Sequence, residues 1–170
     1  MKKNIVLVGF MGTGKTSVGK ALARRLNRPV VDVDHTIEEN EKRKISEIFE
    51  KEGEARFREL EKEAIRILSQ REGIIITTGG GAVIEPENRE RLENSGWTVA
   101  LMATPETIYQ RVKDSRHRPL LENKDRLAEI KILLETRKPF YEKSDFQFET
   151  DGKNAAQVAE AILEALKGKI

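Results

Sequence analysis

Gly9-Phe10-Met11-Gly12-Thr13-Gly14-Lys15-Thr16 follows the apolar run Ile5-Val6-Leu7-Val8 and leads into Ser17-Val18-Gly19-Lys20-Ala21-Leu22-Ala23. The octet fills G-x-x-x-x-G-K-[ST] between a strand pattern and a helix pattern, the setting in which that motif is a phosphate-binding loop. Its glycines let backbone N–H groups turn inward around a β-phosphate, and the positive end of the following helix adds to them. Lys15 is placed to reach the β- and γ-oxygens and the Thr16 hydroxyl to hold Mg²⁺. A ligand-free glycine turn needs neither the lysine nor the threonine, so the octet points to a nucleoside triphosphate. The guanine-reading string N-K-x-D does not occur in the chain, which favours ATP.

Outward from the loop, four more short runs rich in Val, Ile or Phe read as strands: Val30–Val33, Ile74–Thr78, Thr98–Met102 and Phe146–Glu149. Helical patterns separate them, with apolar residues at Phe57, Leu60, Ala64, Ile67 and Leu68, and at Val158, Ala159, Ile162, Leu163 and Leu166. The first, second and fourth strands are almost wholly apolar, as strands covered on both faces must be, so the spacing predicts a parallel sheet between helical layers. Thr104-Pro105-Glu106 reads as a helix start; Asn154 precedes the last helix and Gly168 follows it. Between Arg111 and Arg126 the helical pattern lapses into VKDSRHRPLLENKD, read as an excursion above the sheet.

The 170 residues suit one domain, and the +2 net charge, with both signs interspersed over 35% charged residues, predicts no nucleic-acid or membrane partner. The absence of Cys excludes disulfides and zinc–thiolate sites, and two His are too few for an imidazole cluster, so any metal is oxygen-bound. Apolar stretches are far shorter than the ~20 residues of a membrane span. With a strand pattern starting at Asn4, no secretory leader is expected and the address is cytoplasmic.

Three further features carry chemistry. Asp32-Val33-Asp34 reads as the close of the second strand, where alternation puts both carboxylates on one side at the ligand-gathering end of the sheet. One suits ordering the waters of Mg²⁺ and the other accepting a hydroxyl proton; the alternative is that they cap the next helix. Gly79-Gly80-Gly81 carries an entropy cost that a close approach to a ligand explains better than a plain turn. Arg58, with Glu54 at i−4 and Glu61 at i+3, reads on periodicity alone as a solvated ion-pair network. Arg118 and Arg137 have no assignable role from spacing.

Taken together, GFMGTGKT with SVGKALA, DVD, IFEKEGEARFRELE, TGGGAV, RPLL and R-x-P-x-Y resemble the shikimate kinases in order and spacing, from about Asn4 to the last helix. The resemblance implies an α/β, three-layer P-loop kinase fold with a five-stranded parallel sheet. Residues 1–170 then form a single kinase domain, with substrate-binding helices in a region spanning 34–61 and a mobile lid at 112–126. It also implies transfer of the ATP γ-phosphoryl group to the 3-hydroxyl of shikimate by a monomer that uses Mg²⁺. By position, it makes Lys15, Asp34 and Arg118 catalytic. Gly12, Thr13, Gly14, Lys15, Thr16, Ser17, Arg111 and Arg118 bind ATP, with Arg111 against adenine. Asp34, Phe49, Phe57, Arg58, Gly79, Gly80, Gly81 and Arg137 bind shikimate, with Arg58 and Arg137 clamping its carboxylate and Glu61 holding Arg58. Thr16 and Asp32 attend the metal. The departures are Lys153-Asn154-Ala155, where the family often has a Pro, the Thr16-Ser17 order, and Lys143-Ser144-Asp145. A gluconate kinase is the nearest alternative enzyme, and a nucleotide-binding regulator without turnover the alternative from another class.

Overall fold

The computed structural model describes residues 2–114 and 125–170. In chain order the elements are β1 (Asn4–Gly9), α1 (Lys15–Leu26), β2 (Val30–Asp32), α2 (Val33–Glu41), α3 (Ile45–Leu68), β3 (Ile75–Thr77), α4 (Pro86–Ser95), β4 (Gly96–Met102), α5 (Pro105–Val112), α6 (Arg126–Tyr141), β5 (Phe146–Glu149) and α7 (Ala155–Ala165). All five sequence-read strands are present, and they form one parallel sheet in the order β2-β3-β1-β4-β5.

The wholly apolar character of β1 has a direct consequence in packing. Ile5 and Leu7, with Ile75, Val99 and Leu101, pack against Val18 and Leu22 of α1 and Val158, Ile162 and Leu166 at α7. Val6 and Val8, with Ile76 and Ala100, pack on the other face against Ile65, Leu68, Leu92 and Ile108 from α3, α4 and α5. Period-two alternation thus feeds two cores at once, each fully buried aliphatic side chain contributing roughly 1.5–3 kcal/mol.

The helix signals act as read. Thr104 accepts from the Thr107 N–H at 3.3 Å. Asn154 and Gln157 form a reciprocal capping box, each bond 2.9 Å long. The Lys153-Asn154-Ala155 departure is therefore at least a helix start.

Two features of α3 differ from the periodic reading. The helix is broken at Gly53 (φ 83°, ψ 173°), so its opening turns and its long second part run in different directions. On the second part the inner face is Phe57, Glu61, Ala64, Ile65 and Leu68, while Ile67 is 42% exposed. A carboxylate thus occupies a place in the apolar stripe. The region expected as a lid, 112–126, lies largely outside the described residues, and Arg118 lies outside them altogether.

Because strand order reverses around β1, the crevice for a ligand falls at the carboxyl ends of the central strands. Gly9 of β1 leads there into the phosphate loop, Asp32 of β2 into α2, and Thr77 of β3 into the triple glycine.

Candidate active site

A cavity of about 820 Å³ opens at that end of the sheet. Gly14 caps α1 in a left-handed conformation (φ 98°, ψ 18°) that a residue with a Cβ adopts only under strain, and no side chain caps the helix. The first-turn N–H groups are left for an anion. Lys15 Nζ lies back across the loop, donating to the carbonyls of Gly9 at 2.6 Å and Phe10 at 2.8 Å. Gly12, Gly14, Lys15, Thr16 and Ser17 all line the cavity. Thr13 does not: its hydroxyl donates to the Phe10 carbonyl at 2.8 Å, so its side chain braces the loop from behind.

The Asp32-Val33-Asp34 segment is a correction to the strand reading. β2 ends at Asp32, whose carboxylate accepts from the His35 N–H at 3.0 Å and so starts α2, while Val33 is fully buried in the first turn. The capping alternative holds for Asp32 and not for Asp34. Alternation therefore does not explain how both carboxylates reach the cavity; the turn into α2 does. The second oxygen of Asp32 accepts from Thr77 Oγ1 at 2.7 Å, which fixes the carboxylate to β3. Asp34 is different: its Oδ1 is buried and, among the described residues, accepts no hydrogen bond. Burial first, then the charges of Asp32 and Glu61, push its carboxyl up to about 7 against the opposing pull of Lys15 and Arg58.

The triple glycine owes its composition to its neighbours. A Cβ on Gly79 would stand 3.2 Å from Asp34 Oδ1, one on Gly80 3.0 Å from an Arg137 nitrogen, and one on Gly81 2.6 Å from an Arg58 nitrogen. None of the three has a positive φ. Close approach, rather than turn geometry, is what the sequence feature records.

Arg58 is half-buried. It donates to Glu61 at 2.8 Å and Glu54 at 3.3 Å and lies over the Phe57 ring. Both ion pairs read from the sequence exist, but they differ: the pair with Glu61, 1% exposed, lies in the cavity wall, while the pair with Glu54, 56% exposed, faces solvent. Burial holds the Glu61 carboxyl above its ordinary value in spite of Arg58 and Arg137. Arg137 is 5% exposed and, among the described residues, has no carboxylate within ion-pair distance. The rings of Phe49 and Phe57 pack in a tilted contact with centroids 4.9 Å apart and close the apolar side.

Arg111 stands outside this wall. It donates to the Gly12 carbonyl at 3.0 Å and to the carbonyl and hydroxyl of Thr150 at 3.0 and 3.1 Å, tying the phosphate loop to the segment after β5. Sequence reasoning did not find Met11, Glu38, Lys44, Ile45, Ser46 or Thr78 in the lining. Glu61 was read only as the residue that holds Arg58, not as part of the lining.

The oxygen donors fit Mg²⁺. Thr16 and Asp32, a hydroxyl and a carboxylate, line the same cavity. That suits an ion that keeps most of its waters and draws other ligands from phosphates.

This end of the sheet offers a place for a triphosphate and, across from it, a place for a small anion with a hydroxyl group; it defines a P-loop kinase of a small molecule. The family model for shikimate kinase matches residues 11–167. The chain belongs to the shikimate kinase family, and its activity is that of a small-molecule kinase of aromatic amino acid biosynthesis. It is 47% identical over 161 residues to the shikimate kinase of Thermodesulfovibrio yellowstonii, covering 95% of this chain and 93% of the relative. Among solved structures, the shikimate kinase of Acinetobacter baumannii in complex with shikimate superposes with a TM-score of 0.95 at 38% identity, covering 99% of this chain and 95% of that one. The enzyme of Aquifex aeolicus does so with a TM-score of 0.85 at 41% identity, covering 98% and 97%.

Proposed function

We propose that the cavity holds shikimate with its carboxylate between Arg58 and Arg137 and its 3-hydroxyl on Asp34, and that the γ-phosphoryl group of ATP crosses from the phosphate loop to that hydroxyl. The observation that carries this is Arg137, a guanidinium with 5% exposure and no carboxylate partner among the described residues. A buried charge costs several kcal/mol unless it is paired, so the site is built for an anion that arrives with the substrate. The orphaned oxygen of Asp34 asks for the second half of that substrate, a hydroxyl donor. Phe49 and Phe57 wall the space between them, which suits a ring better than an open-chain polyol such as gluconate.

In this reading Asp34 accepts the hydroxyl proton, and a carboxyl near pH 7 is matched to that work. Lys15 and the N–H groups of the loop stabilise charge on the transferring group. Thr16 would hold Mg²⁺ and Asp32 would order its waters, and the ion would supply charge neutralisation on the phosphates when bound. Gly12, Gly14, Ser17 and the Thr13 backbone cradle the phosphates, Arg111 borders the adenine, and Arg118, carried by the resemblance, meets the phosphates during transfer. Region 34–61 is the substrate-binding part and 112–126 the lid. A monomer, carried by the resemblance, and a cytoplasmic address, where ATP is supplied, complete the reading.

A coupled ADP-release assay with shikimate, gluconate and a nucleoside monophosphate tests the reading. ADP release with shikimate alone is the expected result; equal release with gluconate, or none with any acceptor, would overturn it. A finer test follows from the glycine turn. Gly81→Ala adds a methyl group where the Arg58 guanidinium lies, 2.6 Å from the ideal Cβ position. Since the backbone there tolerates alanine, the substitution displaces Arg58 and little else. KM for shikimate is expected to rise about tenfold with KM for ATP unchanged, measured by steady-state kinetics.

A further inference from the structure

Tyr141 ends α6 four residues after Arg137, on the same helix face. It has no exposed surface and is among the largest fully buried side chains of the molecule. Its hydroxyl donates to the carbonyl of Gly80. Burial pushes the phenol up to about 12 against the opposing charge of Arg137, and an Arg137 nitrogen and the Tyr141 hydroxyl lie 3.0 and 3.6 Å from the ideal Cβ position of Gly80. The phenol and a guanidinium of the cavity wall thus meet at the same glycine of the turn.

The turn shows what that contact does. The Gly79 carbonyl accepts from the Ala82 N–H at 3.2 Å and the Gly81 carbonyl from the Ile84 N–H at 3.2 Å. With Tyr141 on Gly80, all three carbonyls are satisfied by the protein. Among the described residues, no acceptor is met by the N–H groups of Gly79, Gly80 or Gly81. In a trans peptide, the carbonyl of one residue and the N–H of the next point in opposite directions. Holding the Gly80 carbonyl on the phenol side therefore turns the Gly81 N–H to the other side. That side is the cavity, which Gly80 and Gly81 line and Tyr141 does not.

We propose that Tyr141 is a positioning residue for the phosphoryl acceptor: its phenol locks the Gly80–Gly81 peptide with the Gly81 N–H toward the acceptor and holds Arg137 in register with that donor. An acceptor oxygen and the acceptor carboxylate are then met by groups held at one glycine. The inference rests on the reading of the cavity as the shikimate site.

Tyr141→Phe keeps the ring and removes the hydroxyl. KM for shikimate is expected to rise at least about fivefold, the scale of one lost hydrogen bond, with KM for ATP and kcat at saturating shikimate within about twofold of the parent. In an Arg137→Lys background the same substitution is expected to have a smaller effect on KM, because the two residues meet at one glycine. A lower Tm with KM for shikimate unchanged, or equal increases in KM for both substrates, would overturn the proposal by making Tyr141 a structural residue only. If the variant does not fold, the parent protein decides: with ¹⁵N-glycine labelling, the Gly81 amide proton is expected to move downfield when shikimate is added without nucleotide, and an unmoved Gly81 amide would overturn the proposal. Turnover of shikimate by the parent together with a normal Tyr141→Phe variant rejects this inference alone, whereas a parent inactive on shikimate rejects the reading beneath it.

Discussion

Asp34→Asn is expected to lower kcat by about 10²–10⁴-fold, the range a positioned general base supplies, while ATP binding stays nearly intact. The same substitution is expected to make the ligand-free protein more stable at alkaline pH, and the two effects share one cause. In the folded chain the Asp34 carboxyl sits near 7 against an ordinary 3.8, because burial and the charges of Asp32 and Glu61 oppose its ionisation. As pH rises through that window, the unfolded chain gives up its proton before the folded one, so stability falls. Asn has no proton to lose. In EDTA at about pH 8 the variant gains up to about 4 kcal/mol, at 1.36 kcal/mol per pK unit, and a Tm several degrees higher; near pH 4 the advantage disappears. Thermal melts at the two pH values with steady-state kinetics check both halves. An active Asp34→Asn enzyme would remove Asp34 from the base role, and equal melts at high pH would show that its ionisation is not opposed by the fold.

Lys15→Ala is expected to cost about 10²–10³-fold or more in kcat, as does removal of one preorganised donor aimed at developing charge. ATP affinity falls as well, because the ammonium acts on the bound phosphates in addition to the transferring group. In the ligand-free protein Lys15 is tied to the carbonyls of Gly9 and Phe10 at 2.6 and 2.8 Å. Those bonds keep the positive charge within the loop before a nucleotide arrives, and their loss is expected to loosen the loop while the sheet persists. Circular dichroism should match the parent. Undiminished kcat in a folded Lys15→Ala variant would refute the role given to the loop.

The phosphate loop was legible because a short motif fixes backbone geometry locally: the left-handed Gly14 and the uncapped start of α1 follow from the residues themselves. The sheet was legible for a similar reason, since five Val-, Ile- or Phe-rich runs with helices between them leave few arrangements. What depended on distant packing was not. Spacing at i−4 and i+3 makes ion pairs of Arg58, Glu54 and Glu61 but does not say that the helix turns Glu61 inward to 1% exposure. The end of β2 was misread because the side chain of Asp32 competes for the His35 N–H and starts a helix one residue before alternation would bring Asp34 round. The triple glycine pointed to a close approach, yet the side chains that need the space, Asp34, Arg137 and Arg58, come from three different helices, α2, α6 and α3, none adjoining the turn in sequence. For Arg58 and Arg137 the family resemblance supplied a role that periodicity did not.

If two guanidiniums bind the carboxylate of shikimate, the kcat/KM values of shikimate and its methyl ester in the parent, Arg58→Lys and Arg137→Lys enzymes reveal it. In the parent, the ester leaves a buried guanidinium without its anion, a loss of 2–5 kcal/mol for such pairs, so kcat/KM should fall by at least about 30-fold. A lysine cannot reproduce the paired hydrogen bonds of a planar guanidinium, so each variant should lose about tenfold or more on shikimate itself while its penalty for the ester shrinks. An ester penalty of the same size in all three enzymes would contradict the account.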